Sequence, residues 1–356
     1  MPFKILAINP GSTSTKVAVF DDTAEIFSQN LSHSAEELDE FPTIFDQLEY
    51  RFNLIMDFLA SQSLKPQGFS AVVGRGGLLK PLVSGTYLID ATMLDDLKHS
   101  RFGAHASNLG ATLAHRIANL ASCPGYIVDP VVVDELAPIA RITGRPEIEK
   151  RSTFHALNQK AVAKRFAKSI GRSYEELNLI VAHLGGGISV GCHKQGQVVE
   201  VNNALNGEGP FSPERAGTVQ AGQFADSILV NQLTRETVMK MLAGRGGLVA
   251  HLGITDAREV EKRIAAGDKE AAQVYQAMLY NIARYIAAAA VAVKGKVDQI
   301  ILTGGIAYSQ LVTDTLREYI AFIAPVTVIP GEDELQALAE GAYRVLTKEE
   351  TAKEYR

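Results

Sequence analysis

The sequence predicts an α/β protein whose mixed-sheet core is built twice. Three observations carry this. Short apolar runs of strand length alternate with longer segments that repeat apolar residues at three and four, the periodicities of strands and helices. Hairpin-like pairs are interleaved with helical segments, which implies sheets of mixed sense. Finally, INPGSTSTKVAVFD (Ile8–Asp21) and VAHLGGGISVGCHKQGQVVEV (Val181–Val201) are both strand, small-residue turn, strand. One such hairpin per half is the simplest account, and two halves facing each other would bring both turns to one cleft.

In chain order, strands are expected at 3–8, 15–20, 71–73, 126–128, 179–184, 188–193, 198–201, 299–302 and 326–329. Each is a short apolar run bounded by turn formers. Helices are expected at 41–62, 105–120 and 155–167, where apolar residues recur at three and four, and at 309–323 and 333–346. Segment 268–293 is long, Ala-rich and nearly apolar, which reads as a helix buried on most sides.

With 356 residues, 46% of them hydrophobic, the chain can bury a large core, and its length favours two domains. Net charge is −5, from 35 basic and 40 acidic residues with no block of like charge. That argues against nucleic-acid and membrane partners. Cys123 and Cys192 lie far apart without metal-ligand spacing, so a reducing, cytoplasmic compartment is expected. The apolar run in MPFKILAINP is too short for a signal peptide, and the longest one, Tyr285–Val293, falls short of the ~20 residues of a membrane span.

The first turn carries Asn9, Gly11, Ser12, Thr13, Ser14, Thr15 and Lys16, more than an ordinary hairpin needs. Gly, Ser and Thr let backbone N–H groups and hydroxyls approach an anion, and Lys16 adds a positive charge. A second such turn, Gly185–Ser189, with Gly185, Gly186 and Gly187 at its head, would grip the same anion, a phosphate clamp. A solvated loop of turn-forming residues is the alternative. No G-x-x-x-x-G-K-[ST] occurs, and GGGISVG opens a strand rather than a helix, so P-loop and Rossmann readings are weak. Gly304 and Gly305 follow another buried strand; they suit a phosphate or flat ligand, or equally a tight turn.

VVGRGG, GAHASNLGA, RSTFHALNQKAV, VAHLGGGISV, SPERAG, GITDAREV, LTGGIAYS and GEDELQALAEGA stand in the order found in the acetate/butyrate kinase family. The chain resembles that family over essentially its whole length. GEGPFSPERAGTVQ and EDELQALAEGA are closest to its butyrate-kinase side. The resemblance implies a duplicated actin-like (ribonuclease H-like) fold with an interdomain cleft, similar to the sugar kinase, Hsp70 and actin group. Residues 1–150 plus 335–356 would form the N-terminal domain and 151–334 the nucleotide-binding one. It also implies reversible, direct in-line phosphoryl transfer from ATP to butyrate or a similar short or branched carboxylate, giving the acyl phosphate and ADP. Mg²⁺ as cofactor and a homodimer come with it.

On matching positions, Arg75, His155 and Arg215 would surround the travelling phosphoryl group. Ser12, Ser14, Lys16, His183, Gly185, Gly186, Gly187, Asp256, Arg258, Gly304 and Gly305 would hold phosphates and nucleotide. Asn9, Asp129 and Glu334 would attend the metal, with Asp333 as a second candidate one residue away. The chemistry agrees: phosphoryl transfer needs positioning and charge neutralisation, and a carboxylate acceptor is already ionised at neutral pH and needs no base. Bland roles stay open for some: Asp256 as a helix N-terminal acid, and Asp333 and Glu334 as acids of a first helical turn.

Gly77, His105 and Phe154 would shape the acyl pocket. Glycine at 76 and 77 and alanine at 104 stand where acetate kinases carry bulkier residues, so room for a chain longer than acetate is expected. Acetate or propionate kinase activity, or a non-carboxylate ATP-binding protein of the same fold, are the rival readings.

Overall fold

The structure, a computed structural model, describes residues 2–356. Ile5–Ile8 and Val17–Phe20 are fully buried. They form the middle of a hairpin in which β1 (Lys4–Pro10) runs antiparallel to β2 (Ser14–Asp21), with Asn9 opposite Lys16. β3 (Ala24–Ser32) extends β2. On the other side of β1 lies β4 (Ala71–Arg75), parallel to it. β5 (Thr86–Leu88) is antiparallel to β6 (Gly125–Val128), which is itself parallel to β4. The order is β3-β2-β1-β4-β6-β5.

A second sheet repeats the plan. β7 (Asn178–Leu184), β8 (Ile188–Lys194) and β9 (Gln197–Val201) are antiparallel in turn. β10 (Gln299–Thr303) is parallel to β7, and β11 (Val326–Val328) is parallel to β10. Read from the outer hairpin strand, β3-β2-β1-β4-β6 and β9-β8-β7-β10-β11 share every pairing sense. Even the register shifts correspond, at Val19/Phe20 and at Cys192/His193. The expected duplication and mixed sheets are therefore present.

The chain divides into two units, Met1–Val133 with Asp333–Arg356, and Asp134–Glu332. Residues 134–150, placed with the first half from sequence, group with the second unit. Their contacts explain why. The Ala137 N–H donates to the Val199 carbonyl (2.9 Å), and Lys150 pairs with Glu200 and Glu208.

In each unit helices cover the sheet, and strand alternation assigns the faces. In the second unit Ile180, Ala182 and Leu184 pack with the Lys269–Ala289 helix, while Leu179 and Val181 pack with Ala156–Ser169. Over Lys269–Val293 the former helix is long and apolar enough to cross a membrane by length and composition, but Met278, Ile282 and Ile286 are fully buried in the unit's core. In the first unit, Leu6, Ile8, Val17 and Val19 share a core with the Leu48–Ser61 and Asn108–Ala121 helices.

Several elements escape the sequence patterns. β3 is almost wholly exposed, so it shows no inward stripe. The helices Ala221–Val230 and Arg235–Leu242 bury no residue at all. Ala91–Lys98 is short and starts at an Asp90 cap.

Candidate functional site

In the first unit, β1, β4 and the start of the Glu334–Leu346 helix deliver three polar groups to one point. Arg75, the last residue of β4, places Nη1 2.9 and 3.0 Å from the Glu334 carboxylate oxygens. The same nitrogen donates to Asn9 Oδ1 at 3.3 Å, and Asn9 Nδ2 donates to Glu334 Oε2 at 2.5 Å. Arg75 and Glu334 remain about one-fifth exposed, so the cluster is open to a ligand. Asp333 is the N-cap residue of the same helix. Lys16 is the cross-strand partner of Asn9, which puts both side chains on one face. Ser12 and Thr13, at the tip of the turn, are exposed.

Asp129 sits just past β6 in a left-handed backbone, φ 38°. Its Oδ1 accepts from the Ser84 hydroxyl (2.6 Å) and the Gly85 N–H (2.8 Å). His105 Nδ1 lies 2.8 Å from Ser107 Oγ, and partial desolvation, with the Arg75 charge adding to it, holds the ring's pKa below its ordinary value. Gly77 does not open a pocket as expected. A Cβ there would meet the Asn108 side-chain oxygen at 2.4 Å and Asn108 Cα at 2.6 Å. A Cβ at Gly76 would meet Pro130 Cβ at 2.6 Å. Both glycines permit close approach of neighbouring chain, and the space they leave is already filled.

In the second unit the His155 and His183 rings stack 3.8 Å apart and 9° from parallel. His155 Nδ1 is 2.9 Å from Ser189 Oγ, which also accepts from Gln159 Nε2 at 2.8 Å. His183 is buried, with Nδ1 2.9 Å from Asn158 Oδ1 and Nε2 3.0 Å from Glu332 Oε1. Phe154 is 3% exposed, inside the unit rather than on its surface. The Arg215 guanidinium lies on Gly187, where a Cβ would stand 1.9 Å from Nη1. Its Nη1 donates to the Ala204 carbonyl (2.7 Å). Burial lowers its pKa from the ordinary arginine value, opposed by Glu214.

A pocket of about 720 Å³ opens beside this turn, lined by Gly185, Gly186, Asp256, Arg258, Gly305 and Glu332 among others. That is the size of a nucleotide-scale ligand site. Asp256 and Arg258 pair with each other at 2.7 Å, and Asp256 also caps the Ala257–Ala265 helix. The Arg258 hydrogen bond is the first cause that draws the Asp256 pKa down to about 2. Gly304 takes φ 89° and packs on Leu184, where a Cβ would meet the carbonyl oxygen at 2.4 Å; Gly305 has open space beside it.

Three kinds of residue at these sites were given no role of their own by sequence reasoning, though Ser189 ends the second predicted turn. Ser189, Asn158 and Gln159 orient the two histidines, Glu332 faces His183, and Arg51 braces the first turn. Glu332 alone had a visible cue, as the first acid of GEDEL. Among the described residues no group of three or more His, Cys, Asp or Glu side chains stands ready to hold a metal ion.

Residues 146–340, more than half of the chain, match the model of the acetokinase family. Butyrate kinase 1 of Clostridium acetobutylicum is 53% identical over 354 residues, covering 99% of this chain and 100% of that protein. Butyrate kinase 2 of the same organism is 52% identical over 356 residues, with all of both chains covered. Among solved structures, an acetate kinase from Porphyromonas gingivalis superposes with a TM-score of 0.76 at 18% identity, covering 96% of this chain and 99% of that one. A propionate kinase from Francisella tularensis gives 0.73 at 20%, covering 95% and 98%. These two show the shared actin-like fold.

Proposed function

The chain belongs to the acetokinase family, and from that premise we propose that butyrate, or a similar short or branched carboxylate, is its phosphoryl acceptor. It is an ATP-dependent carboxylate kinase. The observation that carries the acceptor is the 53% identity, end to end, to a butyrate kinase. Room made by Gly77 is not an argument for it.

The reaction needs no general base. A carboxylate with an ordinary pKa near 4 to 5 is ionised at neutral pH, and its oxygen attacks the γ-phosphorus directly. The bond to the β-γ bridging oxygen breaks, and ADP leaves with that electron pair. Arg75, beside Glu334 and Asn9, would bind oxygens of the acceptor side, where a planar fork suits carboxylate and phosphoryl groups. His155, His183 and Arg215, with Gly185, Gly186 and Gly187, would hold phosphate oxygens of ATP. Asp256, Arg258 and Gly305 would line the nucleoside pocket. In this reading the first unit carries the acceptor chemistry and, through Ser12, Ser14 and Lys16, part of the phosphate grip, and the second unit carries the nucleoside.

Mg²⁺ is the expected companion of ATP. Asn9 Oδ1, Asp129 and Glu334 are hard oxygen donors of the kind this ion takes, and they would hold it directly or through water. It would supply neutralisation of phosphate charge. A cytoplasmic homodimer belongs to the same reading. Leu229 and Val230, 74% and 79% exposed on a helix that buries nothing, would find cover in a partner.

Acyl-hydroxamate formation with Mg-ATP and a panel of acids tests the acceptor: acetate, propionate, butyrate, isobutyrate and valerate, with glycerol as blank. The expected result is a maximum at three to five carbons. A maximum at acetate keeps the kinase and removes butyrate.

A further inference from the structure

Arg51 is fully buried in the first turn of the Leu48–Ser61 helix, and no carboxylate pairs with it among the described residues. Its partners are neutral. Nη1 donates to the Gly11 carbonyl (2.9 Å), the Ser14 carbonyl (3.2 Å) and Thr15 Oγ1 (3.0 Å). Nη2 donates to the Ser12 carbonyl (3.5 Å) and to Gln47 Oε1 (2.8 Å), and Nε donates to the same Gln47 oxygen (3.1 Å). The remaining tip carbonyl, that of Thr13, accepts from the His33 N–H at 2.9 Å. Every carbonyl from Gly11 to Ser14 is thus held from behind.

A buried cation without an anion is costly, because desolvation is not repaid by neutral dipoles alone. Burial indeed draws the Arg51 pKa down to about 10. The turn is where the compensation would come from. With its carbonyls tied back, the N–H groups of Ser12 and Thr13 and their exposed hydroxyls have no partner among the described residues, which is the arrangement of an anion-binding nest. The positive charge lies directly beneath.

We propose that Arg51 is a positioning residue for phosphate: it fixes the Gly11–Ser14 turn with its donors outward, and its charge is completed by a phosphate of ATP bound on the far side. This rests on the reading of that turn as a phosphate grip. Arg51 does not touch the phosphate. It acts through the loop it braces and through its field.

The test uses Gln47→Glu, Arg51→Lys and Lys16→Ala in the full-length protein. For each, kcat and the KM for ATP are measured, with melting temperatures with and without ATP. Gln47→Glu gives Arg51 a buried carboxylate in place of a neutral oxygen. A purely structural Arg51 would then be better paired and ATP binding unchanged. The proposal expects the opposite split: a melting temperature without ATP that is unchanged or higher, a KM for ATP raised about tenfold, and a smaller upward shift on adding ATP. Arg51→Lys, which cannot hold three carbonyls at once, should also raise the KM by about tenfold while lowering the unliganded melting temperature. If Lys16→Ala raises the KM and Gln47→Glu does not, the turn binds phosphate and Arg51 is structural only, which overturns the proposal. If none of the three changes the KM, the turn is not the phosphate grip and the reading beneath the proposal falls with it. Should Arg51→Lys fail to fold, Gln47→Glu decides alone.

Discussion

The hairpins β1–β2 and β7–β8 share topology, register sense and a small-residue turn, yet they are supported in opposite ways. Behind the first turn stands Arg51, from a helix, with its charge buried and facing carbonyls. At the second, the support is chain. The Gly186 carbonyl accepts from the Ser212 hydroxyl (2.6 Å) and the Glu214 N–H (3.2 Å), and Arg215 lies over Gly187. One hairpin therefore has its cation behind the loop, where it can only position. The other has its cation against the loop's glycine, where it can meet a ligand directly. The two copies share the hairpin and differ in what is packed against its turn.

The sharpest way to break this comparison is Gly187→Ala. Its new Cβ would stand 1.9 Å from Arg215 Nη1, so the guanidinium must move. Loss of one preorganised donor costs on the order of 10²-fold in kcat. The expected result is a fall of that size, matched by Arg215→Ala, and no further loss in the double variant. Additive losses would show that Gly187 and Arg215 act separately.

Next comes Glu334→Gln, at the foot of the first hairpin. It keeps the shape but removes the charge that holds Arg75. A drop in kcat/KM for the acceptor of roughly tenfold is expected, about the worth of one charge-assisted hydrogen bond. If the KM for ATP changes and that for butyrate does not, Arg75 serves the nucleotide instead.

Gly77→Val should act on stability rather than on acyl choice. Overpacking against Asn108 is expected to cost about 1–3 kcal/mol, read as a lower denaturation midpoint with an unchanged acetate-to-butyrate ratio.

The smallest effect concerns His33, whose Nε2 is 2.9 Å from Thr15 Oγ1. Burial first, then Arg51, lowers its pKa from 6.5 to about 4, with Glu37 opposing. The unfolded chain binds this proton near pH 6.5 and the folded one only near 4. Stability from the neutral ring is therefore full above about pH 6.5 and is lost as pH falls toward 4. His33→Gln should flatten the melting temperature between pH 7 and 4.5. An unchanged slope would mean that His33 is protonated in the folded protein.

Much of the candidate site's placement was legible because the residues concerned sit at or near the ends of apolar runs. Arg75 is the last residue of β4, Asn9 and His183 are next to last in β1 and β7, and the glycines follow β7 directly, where a strand hands its side chains to a loop. Glu334 opens a helix with a clear apolar stripe. Arg51 was not legible. A lone arginine in a helical pattern reads as a polar-face residue, and only the turn packed above it reveals otherwise. Asp256 was legible as a helix-start acid, and capping is what it does here.

By itself the sequence determined the hairpins, the main helices and the doubling, because periodicity and turn chemistry are local and survive in one dimension. Tertiary structure alone decided which glycines are packed against neighbouring chain and which face open space. Gly77, Gly187, Gly304 and Gly305 look alike in a string, but their neighbours are Asn108, Arg215, Leu184 and open space. It also decided the partner of Arg51, since the charge of a side chain is written in the sequence and its burial depends on everything packed around it.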